Sequence, residues 1–202
     1  MPTTPVFFDT HTHLADSDFD ADREAVIERA QAAGVQRLIA VAIHLDNSRQ
    51  AVELAERHEG VYAAVGWHPS HALEAPDDLR PALRELARHP KVVAIGETGL
   101  DFYRMPSRKP GGTPADDDRY RARQIELFRQ QLEVAAESGL NVIVHQRESM
   151  EACEREVAPF LGRLRAVYHC FVSDPTVLQR VLDAGCLVSF TGIITFKTAD
   201  AV

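Results

Sequence analysis

Cysteine is scarce in this chain. Its three, Cys153, Cys170 and Cys186, are odd in number, lie far apart and form no CxxC pair, a usage that fits a reducing compartment. Positive charge is also in short supply: 22 Lys and Arg against 30 Asp and Glu give a formal net charge of −8. Non-specific nucleic-acid binding draws on a basic footprint. None runs continuously here, so a nucleic-acid substrate has to be drawn locally, by metal ions and a few Arg or Lys. Apolar runs are short, none nearing the roughly 20 residues of a membrane span. The opening Met1-Pro2-Thr3-Thr4-Pro5 carries neither a basic stretch nor a long apolar one. No signal peptide is expected, and the expected location is the cytoplasm. No GxGxxG or GxxxxGK-Ser/Thr fingerprint follows any apolar run, which weakens a nucleotide-binding open sheet. No Ser-His-Asp ordering or nucleophile elbow is present to compete with other chemistry.

What is present is ordinary globular composition, 45% hydrophobic and 26% charged over 202 residues, enough for one domain with a sizeable core. Short apolar runs alternate with amphipathic stretches. Strands are predicted at Val6–Asp9, Arg37–Ile43, Val61–Val65, Val92–Ile95, Asn141–Val144, Ala166–Tyr168 and Cys186–Phe190. Helices are predicted at Asp18–Ala33, from Asn47 or Ser48 to about His58, from about Asp77 to Arg88, at Arg119–Ser138, at about Ser149–Val157, and from Asp174-Pro175 to Gly185. In the longest, Ile125, Phe128, Leu132 and Ala135 recur at helical spacing and Gly139 is the stop. Pro175 suits a first helical position, where the missing N–H has no partner to lose. Arg104–Asp118, rich in Pro and Gly, reads as a rim loop in which Arg104, Arg108 and Lys109 either contact phosphate or are simply solvated.

Seven strand-helix repeats with continuous apolar strands imply a parallel sheet covered by helices. The polar candidates follow the first, fourth, fifth and sixth strands. In a closed barrel those strand ends form one rim around one pocket; in an open sheet they would spread along an edge. The expected fold is therefore α/β, a TIM-type (β/α)8 barrel. A full barrel takes about 250 residues, so about seven strands are expected over 1–202, with the C-terminal part incomplete.

Asp9-Thr10-His11-Thr12-His13 ends the first strand. Residues i, i+2 and i+4 of a strand share a face, which puts two imidazoles and a carboxylate together. Imidazole suits zinc and its first-row neighbours, and carboxylate suits harder ions. Glu97, in Gly96-Glu97-Thr98-Gly99-Leu100-Asp101, and His145 and His169 end later strands. A carboxylate buried at a barrel mouth needs a partner. Two divalent ions would supply it, since one carboxylate bridges two ions through its two oxygens, and ions roughly 4 Å apart suit phosphate-ester hydrolysis. His145 and His169 are the candidates for the second ion. His68 lies on the same rim, to hydrogen-bond a substrate phosphate or orient a ligand, and Arg147 either pairs with phosphate or is an exposed salt-bridge arginine. Asp101 is either an acceptor behind the ligands or a loop cap. Cys170 is expected to point into the core, and no function is assigned to His44, His58, His71 or His89.

Together, Phe8–Leu14, Gly66-Trp67-His68-Pro69, Gly96–Tyr103, His145-Gln146-Arg147, His169-Cys170-Phe171 and Ser189–Lys197 resemble the TatD family, metal-dependent deoxyribonucleases of the metallohydrolase barrel superfamily. The resemblance runs in order along essentially the whole chain. It implies one metal on His11 and His13, a second on His145 and His169, Glu97 bridging, and His68 and Arg147 beside the substrate. Gln146 departs from a small polar residue. The family also carries an Asp on a last barrel strand that completes the first metal site. That strand is expected after a helix beginning near Lys197, and the sequence ends at Val202.

The expected activity is metal-dependent hydrolysis of phosphodiesters, DNA above all, by a monomer holding two divalent ions (Zn²⁺, Mg²⁺ or Mn²⁺) with Glu97, His68 and Arg147 at the reacting phosphate. Without the family's last Asp, this chain is expected to be weakly active or inactive. Two alternatives stay open: hydrolysis of amides or other esters by the same barrel, and a non-catalytic remnant. Relatives acting on amides often bridge their metals with a carboxylated lysine after strand four. Here that place holds Glu97, and Lys91 lies at the wrong end of the strand.

Overall fold

The computed structural model describes residues 6–199. The Met1–Pro5 stretch and the last three residues, toward which a further helix was expected, lie outside the described residues. Seven strands, β1 (Phe7–Thr12), β2 (Val35–Val41), β3 (Val61–Val65), β4 (Val92–Asp101), β5 (Asn141–Arg147), β6 (Ala166–Tyr168) and β7 (Leu187–Val188), form one sheet in chain order. Every neighbouring pair is parallel. A doubly wound open sheet reverses its strand order at a switch point. This one does not, which is the order of a TIM-type α/β barrel. Helices α1 (Arg23–Ala32), α2 (Leu45–Arg57), α3 (Arg80–Leu86), α4 (Pro114–Ser138), α5 (Met150–Val157) and α6 (Pro175–Asp183) fall between the strands. None is long and apolar enough to cross a membrane among the described residues.

Strand periodicity separates two cores. Ala40, Ala42, Ala63, Val65, Ile95, Val142 and Val144 join the large cluster shared with the helices. Their neighbours Val41, Ala64, Ala94 and Ile143 form a small cluster of their own, one residue each from β2 to β5, as side chains filling a barrel interior do. Phe7, Phe8 and Leu187, on the outermost strands β1 and β7, are exposed.

Several boundaries differ from the sequence reading. The single helix expected over Asp18–Ala33 is a 3₁₀ turn at Ser17–Phe19 followed by α1. Asp16 caps the turn by accepting from the Asp18 N–H, and Arg23 binds the Leu14 and Asp16 carbonyls, so the chain is folded back before the helix starts. Helix α4 begins five residues earlier than expected, converting Pro114–Asp118 of the expected loop into helix. Thr113 and Asp116 cap it reciprocally, side chain to backbone N–H in both directions. The seventh strand is only Leu187–Val188. Strand β4 continues to Asp101, past its expected end at Ile95. Two residues, Gly96 and Glu97, lie between Ile95 and Thr98 where β5 has one, Ile143, between their partners Val142 and Val144. That is a bulge, a usual way to re-aim a side chain beside a site, and it contains Gly96 and Glu97. Gly99 has φ +130°, and a Cβ there would run into the His145 carbonyl oxygen, so only glycine lets β4 and β5 approach at the site.

Helix α4 secures the strand ends with buried glutamines. Gln131 accepts from the Trp67 N–H at 2.7 Å and donates to the Trp67 carbonyl at 3.0 Å. Gln124 does the same for Asp101, at 2.7 and 3.1 Å. Each primary amide replaces the ladder partner that a strand loses where it leaves the sheet.

Candidate metal centre

The C-terminal ends of β1, β4, β5 and β6 bring His11, His13, Glu97, His145 and His169 to one rim, with His68 just after β3. Glu97, 3% exposed, is the hub. Its Oε2 lies 3.2 Å from His11 Nε2 and 3.7 Å from His13 Nε2. Its Oε1 lies 2.9 Å from His145 Nδ1 and 3.6 Å from His68 Nε2. One carboxylate thus turns one oxygen to each of two histidine pairs.

The first group fits a metal ion. Donor atoms about 2.0–2.1 Å from one ion at tetrahedral angles lie about 3.3 Å apart. His11 Nε2 and His13 Nε2 are 3.3 Å apart, closing a triangle with Glu97 Oε2 near that size. His13 Nδ1 donates to the Val41 carbonyl at 3.0 Å, which leaves the Nε2 lone pair directed at the centre. His11 Nδ1 is buried without a hydrogen-bond partner. Asp9 does not join them. It is exposed, and its carboxylate accepts from the His11 backbone N–H at 3.1 Å.

The second group is His68, Glu97 and His145, with His169 set apart. The His169 ring stacks parallel on that of His11, centroids 3.4 Å apart, and its Nδ1 lies 3.4 Å from Ser189 Oγ. His68 Nδ1 accepts from the Ser70 N–H at 3.1 Å, so the neutral ring carries its proton on Nε2. That tautomer makes His68 a hydrogen-bond donor toward the pocket. His145 Nε2 faces Asp101 Oδ2 at 3.3 Å. The other Asp101 oxygen accepts from the Tyr103 and Arg104 N–H groups at 2.9 and 2.8 Å. Asp101, open between an acceptor behind the ligands and a loop cap, is both at once.

His13, His68, Glu97, Arg104, His145 and His169 surround a cavity of about 640 Å³ that also meets Gln146, Arg147, Ile193 and Phe196. Arg147 stands on its rim with its guanidinium 3.7 Å above the Tyr103 ring centre. Arg108 pairs with Glu148 at 3.0 Å. Cys170 is half-buried on the cavity wall, not in the core. Strand β6 ends at Tyr168, and Cys170 takes φ +51°, so strand alternation no longer applies to it. Tyr103, the last residue of the Gly96–Tyr103 motif, had no role of its own in the sequence reading, because an aromatic after a glycine-rich strand end carries no periodic signal.

Burial alone would raise the Glu97 pKa, but hydrogen bonds to His11 and His145 outweigh it and hold the carboxyl well below its usual range. Burial alone would lower His145, but the hydrogen bonds to Asp101 and Glu97 push it up to about 9. Burial pushes His68 down to about 3, and burial with the nearby His11 takes His169 to about 4. Between about pH 6.5 and 4 the unfolded chain binds protons on His68 and His169 that the folded chain refuses, so stability falls as pH falls. Between about pH 6.5 and 9 the folded chain keeps a His145 proton that the unfolded chain has released, so stability falls as pH rises. Urea denaturation in EDTA is expected to show maximal stability of the metal-free protein near pH 6.5; a midpoint still climbing from pH 7 to 9 would contradict this.

The family described as TatD related DNase matches residues 8–202. An uncharacterized metal-dependent hydrolase of Bacillus subtilis, YabD, is 36% identical over 198 residues, 96% of this chain and 72% of the relative. A protein of Musicola paradisiaca named 3'-5' ssDNA/RNA exonuclease TatD is 37% identical over 187 residues, 92% of this chain and 66% of the relative. The crystal structure of YJJV, a TatD homolog from Escherichia coli, superimposes with a TM-score of 0.82 at 32% identity, over 94% of this chain and 70% of that one.

Proposed function

We propose, from the premise that the chain belongs to the family of TatD-related DNases, which are metal-dependent hydrolases, that it cleaves phosphodiester bonds of DNA or a related single-stranded nucleic acid. One observation carries this reading: a single buried carboxylate, Glu97, with each oxygen facing a different pair of histidines. The exonuclease name of the Musicola relative supports the substrate class. His11, His13 and Glu97 Oε2 would hold one divalent ion; Glu97 Oε1 and His145 Nδ1 would hold the other, joined by His169 once its ring leaves the stack on His11. Mg²⁺, Mn²⁺ or Zn²⁺ bound there would supply Lewis acidity and a water of lowered pKa.

The remaining chemistry belongs to the chain. Nε2–H of His68, 3.6 Å from Glu97 Oε1, would donate to a phosphate oxygen that reaches it, and burial keeps that ring neutral at working pH. Arg104 and Arg147, on the cavity wall, bring positive charge to a phosphodiester that an acidic surface otherwise repels. Asp101 fixes the His145 ring so that Nδ1 faces Glu97. The protein is proposed to act as a monomer in the cytoplasm. Against the amide-hydrolase alternative stands Lys91. Its Nζ donates to the His58, Glu59 and Val61 carbonyls at the far end of the sheet, out of reach of the centre.

With Mn²⁺, Mg²⁺ or Zn²⁺ added, the purified protein at high concentration and long incubation is expected to shorten a labelled single-stranded DNA oligonucleotide, however slowly, and to leave small amides intact. Turnover of amides without cleavage of DNA would overturn the reading.

A further inference from the structure

A second cavity, of about 680 Å³, opens beside the metal centre. Gln146, Arg147 and Val172 line both cavities, so the two adjoin at Arg147. The wall of the second holds the stack of Arg147 on Tyr103, with Phe102, Met150 and Arg155 around it. Arg108 lies 4.7 Å from the same Tyr103 ring and occupies Glu148, one of the acidic groups there. The Tyr103 ring is 41% exposed.

We propose that this cavity binds the nucleobase next to the scissile phosphate, with the Tyr103–Arg147 stack as the surface on which it lies. The proposal rests on the phosphodiesterase reading and names where that site holds the strand. Aromatic rings and guanidinium planes stack any base, which suits a sequence-tolerant single-strand binder. The platform is also fixed relative to the chemistry. The Tyr103 N–H is held by Asp101 Oδ1, the carboxylate whose other oxygen faces His145. The Arg147 N–H is held by Ser149 Oγ, and its carbonyl accepts from the Phe102 N–H at 2.9 Å. Asp101 and Arg147 are paired in the β4–β5 register. The sequence argument required a few arginines to draw nucleic acid locally; Arg104, Arg108, Arg147 and Arg155 are gathered around these two cavities.

The test is fluorescence anisotropy of a labelled oligothymidylate of about ten nucleotides with the full chain in EDTA and low salt. Stacking one base is expected to make Tyr103→Ala bind roughly tenfold or more weakly. Tyr103→Leu, which keeps apolar bulk without a π face, should follow Ala, and Tyr103→Phe should stay within about twofold of wild type. The affinity for Zn²⁺, read by calorimetric titration, should not change in any of them, because only the Tyr103 backbone N–H touches Asp101. The platform is overturned if wild type does not bind the oligonucleotide, or if the Ala and Leu variants bind it as wild type does. Binding that depends on Tyr103, in a protein that hydrolyses no phosphodiester, would keep the platform and overturn the phosphodiesterase reading instead.

Discussion

Glu97→Gln is expected to lower phosphodiester hydrolysis about a thousand-fold, roughly 4 kcal/mol of barrier, while the protein stays folded. Glutamine has the same shape, so the bulge of β4 and the packing at Gly96 and Gly99 need not change. What is lost is the negative charge that faces four imidazoles. Neither oxygen-histidine group would then hold a divalent ion well, because an amide offers one weak neutral acceptor where a carboxylate offers two charged ones. Stability should fall as well. The hydrogen bonds to His11 and His145 outweigh the cost of burying the Glu97 charge, so removing that charge is expected to lower the urea midpoint in EDTA. Activity within about tenfold of wild type would show that the carboxylate does not bridge the centre.

Stripping metal should be the second large effect. EDTA is expected to abolish hydrolysis and Mn²⁺ or Zn²⁺ to restore it. An ion at about a hundred times its dissociation constant stabilises the folded state by about 2.7 kcal/mol, which in a domain of this size is roughly 5–10 °C of Tm. Protons should move as well. His145, held up at about 9 by Asp101 and Glu97 in the metal-free protein, must give up its Nδ1 proton to become a ligand. Calorimetric titration at pH 7.5 in buffers of different ionisation enthalpy should therefore detect about one proton released per chain, and Asp101→Asn should reduce that release. Metal binding with no proton release would mean that His145 is not a ligand.

The histidines and Glu97 could be put at strand ends from the sequence because parallel strands advertise their ends. Each candidate ligand follows an apolar run, and chain order alone put those ends on one rim. What sequence could not reveal depends on contacts between distant segments. The His68 tautomer is set by the Ser70 N–H, and the stacking of His169 on His11 joins β6 to β1. The buried Gln124 and Gln131 look like solvated helix positions until the strand ends they bind are in place. The extension of β4 was hidden by its glycines, which read as a stop but permit close approach to β5. The capping box at Thr113 was legible in principle, since Thr-x-x-Asp has the right spacing. The surrounding Pro and Gly masked it.

The most direct test of the central claim is an anomalous difference map from crystals grown with Zn²⁺ or Mn²⁺. The account predicts two peaks flanking Glu97, one within about 2.2 Å of His11 Nε2 and His13 Nε2 and one within the same distance of His145 Nδ1. No peak at Glu97, or metal bound only at other residues, would contradict it.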